Sequence, residues 1–168
     1  MIVIETDRLI LRHLTVDDAP FLHALLTDAD FLAQIGDRGV HTLADARRAI
    51  PERYVASYDT HGFGMFAVVE RGGAEPIGMA GLVARDWLDH VDLGYAFLPA
   101  GRGKGYALEA ARAVLDWAGA RGIAPVAAIV KPRNARSVAI LGRLGMGPHG
   151  TVLAPGVAEP LLLFRTDS

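Results

Sequence analysis

Three glycines at alternate positions, Gly101, Gly103 and Gly105, stand inside residues 92–109, DLGYAFLPAGRGKGYALE. The run DLGYAFL reads as a strand, and Pro99, which has no N–H to give to a ladder, ends it. The glycines remove Cβ atoms where a helix begins, so main-chain N–H groups there can touch a bulky ligand. The first four N–H groups of a helix lack internal partners, and the helix dipole adds partial positive charge. Such a site takes anions, most often phosphate. Arg102 and Lys104 bring mobile positive charge beside it, so the expected chemistry is a grip on a diphosphate. The pattern GxxxxGK[ST] does not fit, because Gly105 follows Lys104 where a hydroxyl would hold magnesium. GxGxxG does not fit either, since the glycine spacing ends at Tyr106 and Ala107. A turn whose glycines serve geometry alone also accommodates these residues.

The segment RGKGYA resembles the coenzyme-A pyrophosphate loop of the GNAT N-acetyltransferase superfamily. That pattern is Arg or Gln, two residues, Gly, one residue, Gly or Ala, and Arg102, Gly105 and Ala107 fill it. DLGYAFLP before the loop, YALEA after it and ETDRLILRHLTVDDA near the start resemble the branch containing the ribosomal-protein N-terminal alanine acetyltransferases. The resemblance covers nearly the whole chain and implies one domain over residues 1–168. It implies an α+β fold in αβα layers: a mixed, mostly antiparallel sheet with a splayed parallel strand pair, flanked by about four helices. It also implies acetyl-CoA as co-substrate and direct transfer to a primary amine, of a protein N-terminus or a small molecule, with no metal and no covalent enzyme intermediate. On this reading the loop Arg102, Gly103, Lys104, Gly105, Tyr106 and Ala107 holds the diphosphate. The strand edge Ala96, Phe97 and Leu98 would pair with the pantetheine amides as an added strand does. An N–H of Phe97 or Leu98 would face the thioester oxygen, a kind of donor worth ~3 kcal/mol in an acyl-transfer transition state.

Attack on the thioester needs a neutral amine, whereas a Lys amine has a pKa near 10.4 and an α-amine about 8. Asp92 is the candidate base, at the place where related sequences often carry Glu; an ordinary Asp titrates near 3.9, so it needs water or a raised pKa. A strand-edge Asp paired with an Arg is the competing reading. His90 is a rival base, with His13 and His149 behind it. Asn134 is a favoured N-cap, and the resemblance adds a contact with coenzyme A. Many superfamily members place a Tyr acid seven residues later, where this chain has Leu141; Ser137 is the nearest hydroxyl that could serve the departing sulfur. A thiol of pKa ~8.5 leaves tolerably without an acid. The missing Tyr keeps open a catalytically silent acyl-CoA-binding module, and a nucleotide-phosphate enzyme is a third reading. Acceptors could be a protein N-terminus, a polyamine, an amino acid or an amine antibiotic, the branch favouring a peptide α-amine.

The elements that must position these groups follow from periodicity. Residues 8–13 form a short strand, and Thr15 opens a capping-box-like T-V-D-D before a helix at 15–27. A second helix spans 42–58, with Pro51 kinking or ending it. Between them DADFLAQIGDRGV reads as irregular, anchored by Phe31, Leu32 and Ile35, and borders the acceptor pocket in the family it resembles. Residues 63–70 and 77–85 are strands joined by a hairpin-type turn, with Gly78 and Gly81 marking a bulge or close backbone approach. With the strand before the loop they make an antiparallel meander. The helix after the loop carries Ala107, Ala110, Ala111, Val114, Leu115 and Ala118 on one stripe and stops at Gly122. Residues 126–130 form a strand buried on both faces and parallel to the central one. Asn134 opens the last helix, with an unexplained Gly142 inside it, and strands at 146–153 and 161–165 complete the sheet.

Composition bounds the partners. With 168 residues, 51% of them hydrophobic and 21% charged, the chain suits one globular core. A formal charge of −2 argues against a nucleic-acid surface. The absence of cysteine removes disulfides and thiol catalysis. The start MIVIETDRLILR is too charged for a signal peptide, and no apolar run approaches the ~18 residues of a membrane span. A cytoplasmic monomer or homodimer is the expectation.

Overall fold

The central strands of this chain, at residues 65–70, 76–83 and 127–130, are apolar at nearly every position because both faces of the sheet are covered there. In the computed structural model, which describes residues 1–167, eight strands form one sheet in the order β1-β2-β3-β4-β5-β6-β8-β7. They are β1 Ile2–Glu5, β2 Leu9–Arg12, β3 Met65–Glu70, β4 Pro76–Val83, β5 Asp92–Phe97, β6 Ala127–Val130, β7 Gly147–Val152 and β8 Leu161–Arg165. All neighbours run antiparallel except β5 and β6. Side chains alternate between faces with period two. Phe66, Val68, Leu82, Leu93 and Phe97 join one core, whereas Ala67 and Met79 join the other. The αβα expectation therefore holds.

The first core is completed by α5 (Tyr106–Ala120) and α6 (Ala135–Arg143). Ala110, Ala111 and Ala118 of α5 are fully buried, and such small side chains let the helix lie close on the sheet. The second core is completed by α1 (Ala19–Leu26), α2 (Ala29–Gln34) and α3 (Leu43–Ala49), whereas α4 (Ala56–His61) places its buried Tyr58 in the first. Pro51 does not end the second predicted helix. Its missing N–H is absorbed in a π-helical turn, Ile50–Val55, and the helix runs on to His61. The predicted helix at 15–27 starts instead as a 3₁₀ turn, Val16–Asp18, because the Asp18 carboxylate is held by Arg12 at 2.8 and 2.9 Å and by the Thr15 N–H at 2.9 Å.

Two elements differ from expectation. Residues 2–5 add the edge strand β1, paired with β2. Residues 29–34, read as irregular, form α2, so five helices rather than four flank the sheet when the α3–α4 run is taken as one. Asp28 starts α2 by accepting the Phe31 N–H at 3.1 Å. Only Phe31 anchors it: Leu32 and Ile35 are 41% and 37% exposed. No helix among the described residues is long and apolar enough to cross a membrane.

Both strand glycines mark close approach. A Cβ on Gly78 would collide with the Phe97 ring, and one on Gly81 would collide with the Gly64 carbonyl oxygen and lie 2.8 Å from the Met65 Cα. Gly142 faces open space within α6, so nothing in the packing requires it. Gly81→Ala should therefore destabilise the fold by at least about 2 kcal/mol, since backbone cannot move aside cheaply. Gly142→Ala should stabilise it by up to about 1 kcal/mol. Urea unfolding of the two variants against the parent checks both signs.

Candidate functional site

The site begins where β5 and β6 part. They share one register pair, Asp92 with Ala127, fixed by the Ala127 N–H on the Val91 carbonyl at 2.8 Å. Beyond it β6 pairs with β8, and β5 keeps one edge on β4 and leaves the other unpaired. The Leu98 N–H is bonded to the Ile77 carbonyl at 2.9 Å, so by alternation Ala96 and Leu98 point their amides toward β4. Tyr95 and Phe97 point theirs into the gap. Of the three edge residues expected to meet a ligand, Phe97 alone presents its N–H; Tyr95 is the other donor.

A cleft of about 1080 Å³ occupies this gap and runs to the loop before α5. Gly103 and Gly105 adopt φ of +74° and +77°, a left-handed backbone that glycine takes without strain. Space beside Gly103 is open, and the first helical hydrogen bond is donated by Glu109 to Gly105 at 3.1 Å. The amides of Tyr106, Ala107 and Leu108 thus have no helical acceptor, and all three residues line the cleft. The Tyr106 side chain turns away, its hydroxyl donating to Glu70 at 2.8 Å. Arg8 holds the loop from behind, donating to the Lys104 carbonyl at 2.8 Å and pairing with Glu109 at 2.7 Å.

Neither loop cation is the mobile charge expected of it. Arg102 donates to the Phe97 carbonyl at 3.0 Å and to Asp28 at 2.5 Å, which ties α2 to the end of β5. The Lys104 ammonium lies over the Tyr106 ring, 5.8 Å from its centroid, and the residue is not part of the cleft wall. Positive charge comes instead from Lys131, Arg133, Arg136 and Arg143, around α6. Asn134 caps α6 by accepting the Ser137 N–H at 3.2 Å, which leaves its NH₂ toward the cleft it lines.

Asp92 and Tyr95 stand on opposite faces of β5, as a three-residue separation demands. Asp92 is 2% exposed, its Oδ2 accepts the Arg85 Nε–H at 2.9 Å, and its Oδ1 is buried without a hydrogen-bond partner. Burial pushes its pKa up to about 6, the nearby Arg85 guanidinium opposing. Tyr95 reaches α6, where its hydroxyl is 2.6 Å from Ser137 Oγ. Burial raises the Tyr95 pKa and the Ser137 contact opposes, so the phenol stays protonated at neutral pH. Leu141 is packed in the core and offers no polar group. The rival bases lie elsewhere: His13 stacks on Tyr58 with centroids 4.0 Å apart, His149 is exposed on β7, and His90 lies outside the cleft wall.

A second pocket of about 480 Å³ opens on the Asp92 face, between β5, α2 and the α3–α4 run. It meets the first cleft at Phe31, Ile35, Arg38, Arg85, Gly94, Tyr95 and Ala96, which line both. Arg53 and His61 face the second pocket alone. Tyr95 sat inside the quoted strand motif; Arg38, Arg85 and His61 gave no sequence signal. Among the described residues no group of three His, Asp or Glu is arranged to hold a metal ion.

A family model described as an acetyltransferase (GNAT) domain matches residues 8–147. The fold is similar to the crystal structure of an acetyltransferase from Agrobacterium tumefaciens, at 25% identity and TM-score 0.82, over 100% of this chain and 95% of that one. It is similar to a ribosomal-protein-S5-alanine acetyltransferase from Vibrio fischeri, at 19% identity and TM-score 0.79, over 99% and 96%. A third similar structure is a ribosomal L7/L12 alpha-N-protein acetyltransferase in complex with coenzyme A, at 17% identity and TM-score 0.83, over 99% and 97%. At 19% and 17% identity the latter two show the fold alone.

Asp92 generates a prediction about stability. Its folded-state pKa of about 6 exceeds the value of an unfolded Asp, so the folded chain binds this proton more tightly. The contribution is full below about pH 4 and is lost as pH rises through about 6. Asp92→Asn, uncharged at every pH, should lack that decline. Urea midpoints measured from pH 4 to 7 check it, and parallel profiles for the two proteins would contradict the assignment.

Proposed function

The chain belongs to the GNAT acetyltransferase family, and from that premise we propose that it acetylates a primary amine, of a protein N-terminus or a small molecule, by direct transfer from acetyl-CoA. The observation that carries this reading is the gap between β5 and β6. It joins a row of free helix amides at one end to a base and a hydroxyl pair at the other, with a separate pocket entering at the same strand. The fit to the carrier is good. Open space beside Gly103, the amides of residues 105–108 and the basic wall at Lys131, Arg133 and Arg136 suit a diphosphate, and the unpaired edge of β5 suits an amide-bearing arm.

Acetyl-CoA supplies the acetyl group as a thioester and releases a thiolate. The chain supplies the rest. The loop amides and the Asn134 NH₂ bind the carrier. The Tyr95 and Phe97 N–H groups face the gap as fixed donors for negative charge on the thioester oxygen, worth ~3 kcal/mol each when aligned. Asp92, which lines the first cleft beside the junction with the second pocket, takes the proton of the incoming ammonium; a pKa of about 6 keeps it ionised yet basic near neutral pH. Tyr95 and Ser137, on the other face of β5, deliver a proton to the sulfur, and the second proton lost by the nitrogen as the amide forms returns through water to the hydroxyl pair. A hydroxyl pair at 2.6 Å replaces the tyrosine absent at Leu141, and this weakens the reading of a silent carrier-binding module.

Thiol release from acetyl-CoA over an amine panel tests the reading, with calorimetry to measure binding apart from turnover. Asp92→Asn should lower kcat by about 100-fold or more at unchanged acetyl-CoA affinity. Below about pH 6 the parent kcat should fall tenfold per pH unit, because the protonated carboxyl is no base; the variant should lose that limb. Tyr95→Phe and Ser137→Ala should each cost 10-fold or more and should not multiply when combined, since they act as one unit. Unchanged turnover in Asp92→Asn removes it from the mechanism, and absent binding of acetyl-CoA removes the whole reading.

A further inference from the structure

The second pocket, taken as the acceptor site under the function proposed above, carries charge of one sign. Its charged walls are Arg38, Arg53 and Arg85, and it contains no carboxylate, although the chain as a whole has a formal charge of −2. The three arginines differ in what holds them. Arg85 gives its Nε–H to Asp92 and keeps both terminal nitrogens without a hydrogen bond among the described residues. Arg53 donates from Nη1 to the Arg38 carbonyl at 2.7 Å, so it fixes the backbone that presents Arg38. The Arg38 side chain makes no hydrogen bond or ion pair among the described residues. Arg38 is an exposed residue, and what desolvation it has, then the like charge of Arg85, lowers its pKa.

Two guanidinium groups that line one concavity, one of them without a protein partner, suit a carboxylate, which takes paired, planar hydrogen bonds from such groups. The remaining wall is apolar: Leu26, Phe31, Met65, Met79 and Leu82. A volume of about 480 Å³ is small for a folded chain end and ample for an amino acid. The site must also accept an amine as a neutral nucleophile. Nearby guanidinium groups disfavour the ammonium form and so lower the amine pKa, but they repel any acceptor that is purely cationic. A carboxylate on the same molecule offsets that repulsion while the amine still loses its proton. Polyamines fail this requirement.

We propose that the acceptor is an amine bearing a carboxylate, a free α-amino acid with an apolar side chain, whose carboxylate is held by Arg38 and Arg85 in the pocket between α2, the α3–α4 run and β5. Arg53 is a positioning residue for Arg38. The amino group is then presented toward the junction at Gly94–Ala96, where the pocket meets the carrier cleft.

Leucine and leucinamide test the proposal, because they share side chain and amine and differ in the carboxylate. With acetyl-CoA in excess, leucine should exceed leucinamide in kcat/KM by about 10-fold to 100-fold. Arg38→Met should erase that preference, bringing the ratio of the two kcat/KM values to within about threefold of one. Without acetyl-CoA, leucine should raise the melting temperature of the parent and not of Arg38→Met, a readout independent of turnover. Leucyl-aspartate amide and leucyl-alanine amide distinguish the source of the anion. Turnover of the first alone, with leucine inert, assigns the carboxylate to an acidic peptide and overturns the free amino acid. Equal use of leucine and leucinamide, or a preference retained in Arg38→Met, overturns the anion site while leaving acetyl transfer intact. No acetylation of any amine, with acetyl-CoA still bound, overturns both.

Discussion

One strand edge left without a partner governs this molecule. β5 is hydrogen-bonded along its length to β4, yet holds β6 only at Asp92 and Ala127. Beyond that pair, β6 is bound to β8 through four register positions and bends away. The amides of Tyr95 and Phe97 therefore face a cleft, where unpaired backbone groups cost free energy unless water or a ligand satisfies them. The amides at the start of α5 are orphaned at the same end. Helix α5 can bring them there because buried alanines let it lie flat on the sheet. Two rows of hydrogen-bond donors, one on a strand and one at a helix start, thus converge on one elongated space at the carboxyl ends of diverging strands, the usual place for a ligand in an open sheet.

The same parting sorts the chemistry by face. Alternation along β5 sends Asp92 to the side of α1–α4 and Tyr95 to the side of α6. A group that removes a proton from an incoming amine and a group that returns one to a departing sulfur must approach the reacting carbon from different sides. Under the proposed transfer one strand supplies both, because its side-chain period is two. Burial then gives each its protonation state: it raises the Asp92 carboxyl to about 6 and keeps the Tyr95 phenol protonated.

Local features were legible from the sequence. The glycine loop, the Pro99 stop, the α5 stripe, the Asn134 cap and the glycines at close strand contacts each depend on neighbours a few residues away, and each is found where expected. Features set by distant partners were not. Arg102 looked free until Asp28, 74 positions earlier, proved to hold it. Lys104 looked aimed at a ligand, but the turn before α5 puts it over Tyr106. Tyr95 read as one more aromatic strand residue, since its partner Ser137 lies 42 positions later. Helix α2 was missed because six residues with one buried anchor give no usable period, and what defines it is the Asp28 cap. Pocket walls drawn from α2, the α3–α4 run and the turn after β4 leave no linear signature at all.

Arg85 connects these parts energetically. Burial pushes the Asp92 pKa up, and the Arg85 guanidinium, whose Nε–H it accepts at 2.9 Å, is the largest influence opposing that rise. The guanidinium also lines the second pocket, so whatever binds there acts on the same charge that sets the Asp92 pKa. An anionic acceptor shares the guanidinium and weakens its hold on Asp92, which raises the basicity of that carboxylate as the amine arrives. A cationic acceptor adds to the positive field and makes Asp92 a poorer base. Under the proposed function, occupancy of the pocket by an acceptor carboxylate and the proton affinity of Asp92 rise together, and the coupling needs no movement of the chain, only a guanidinium with donors on two sides.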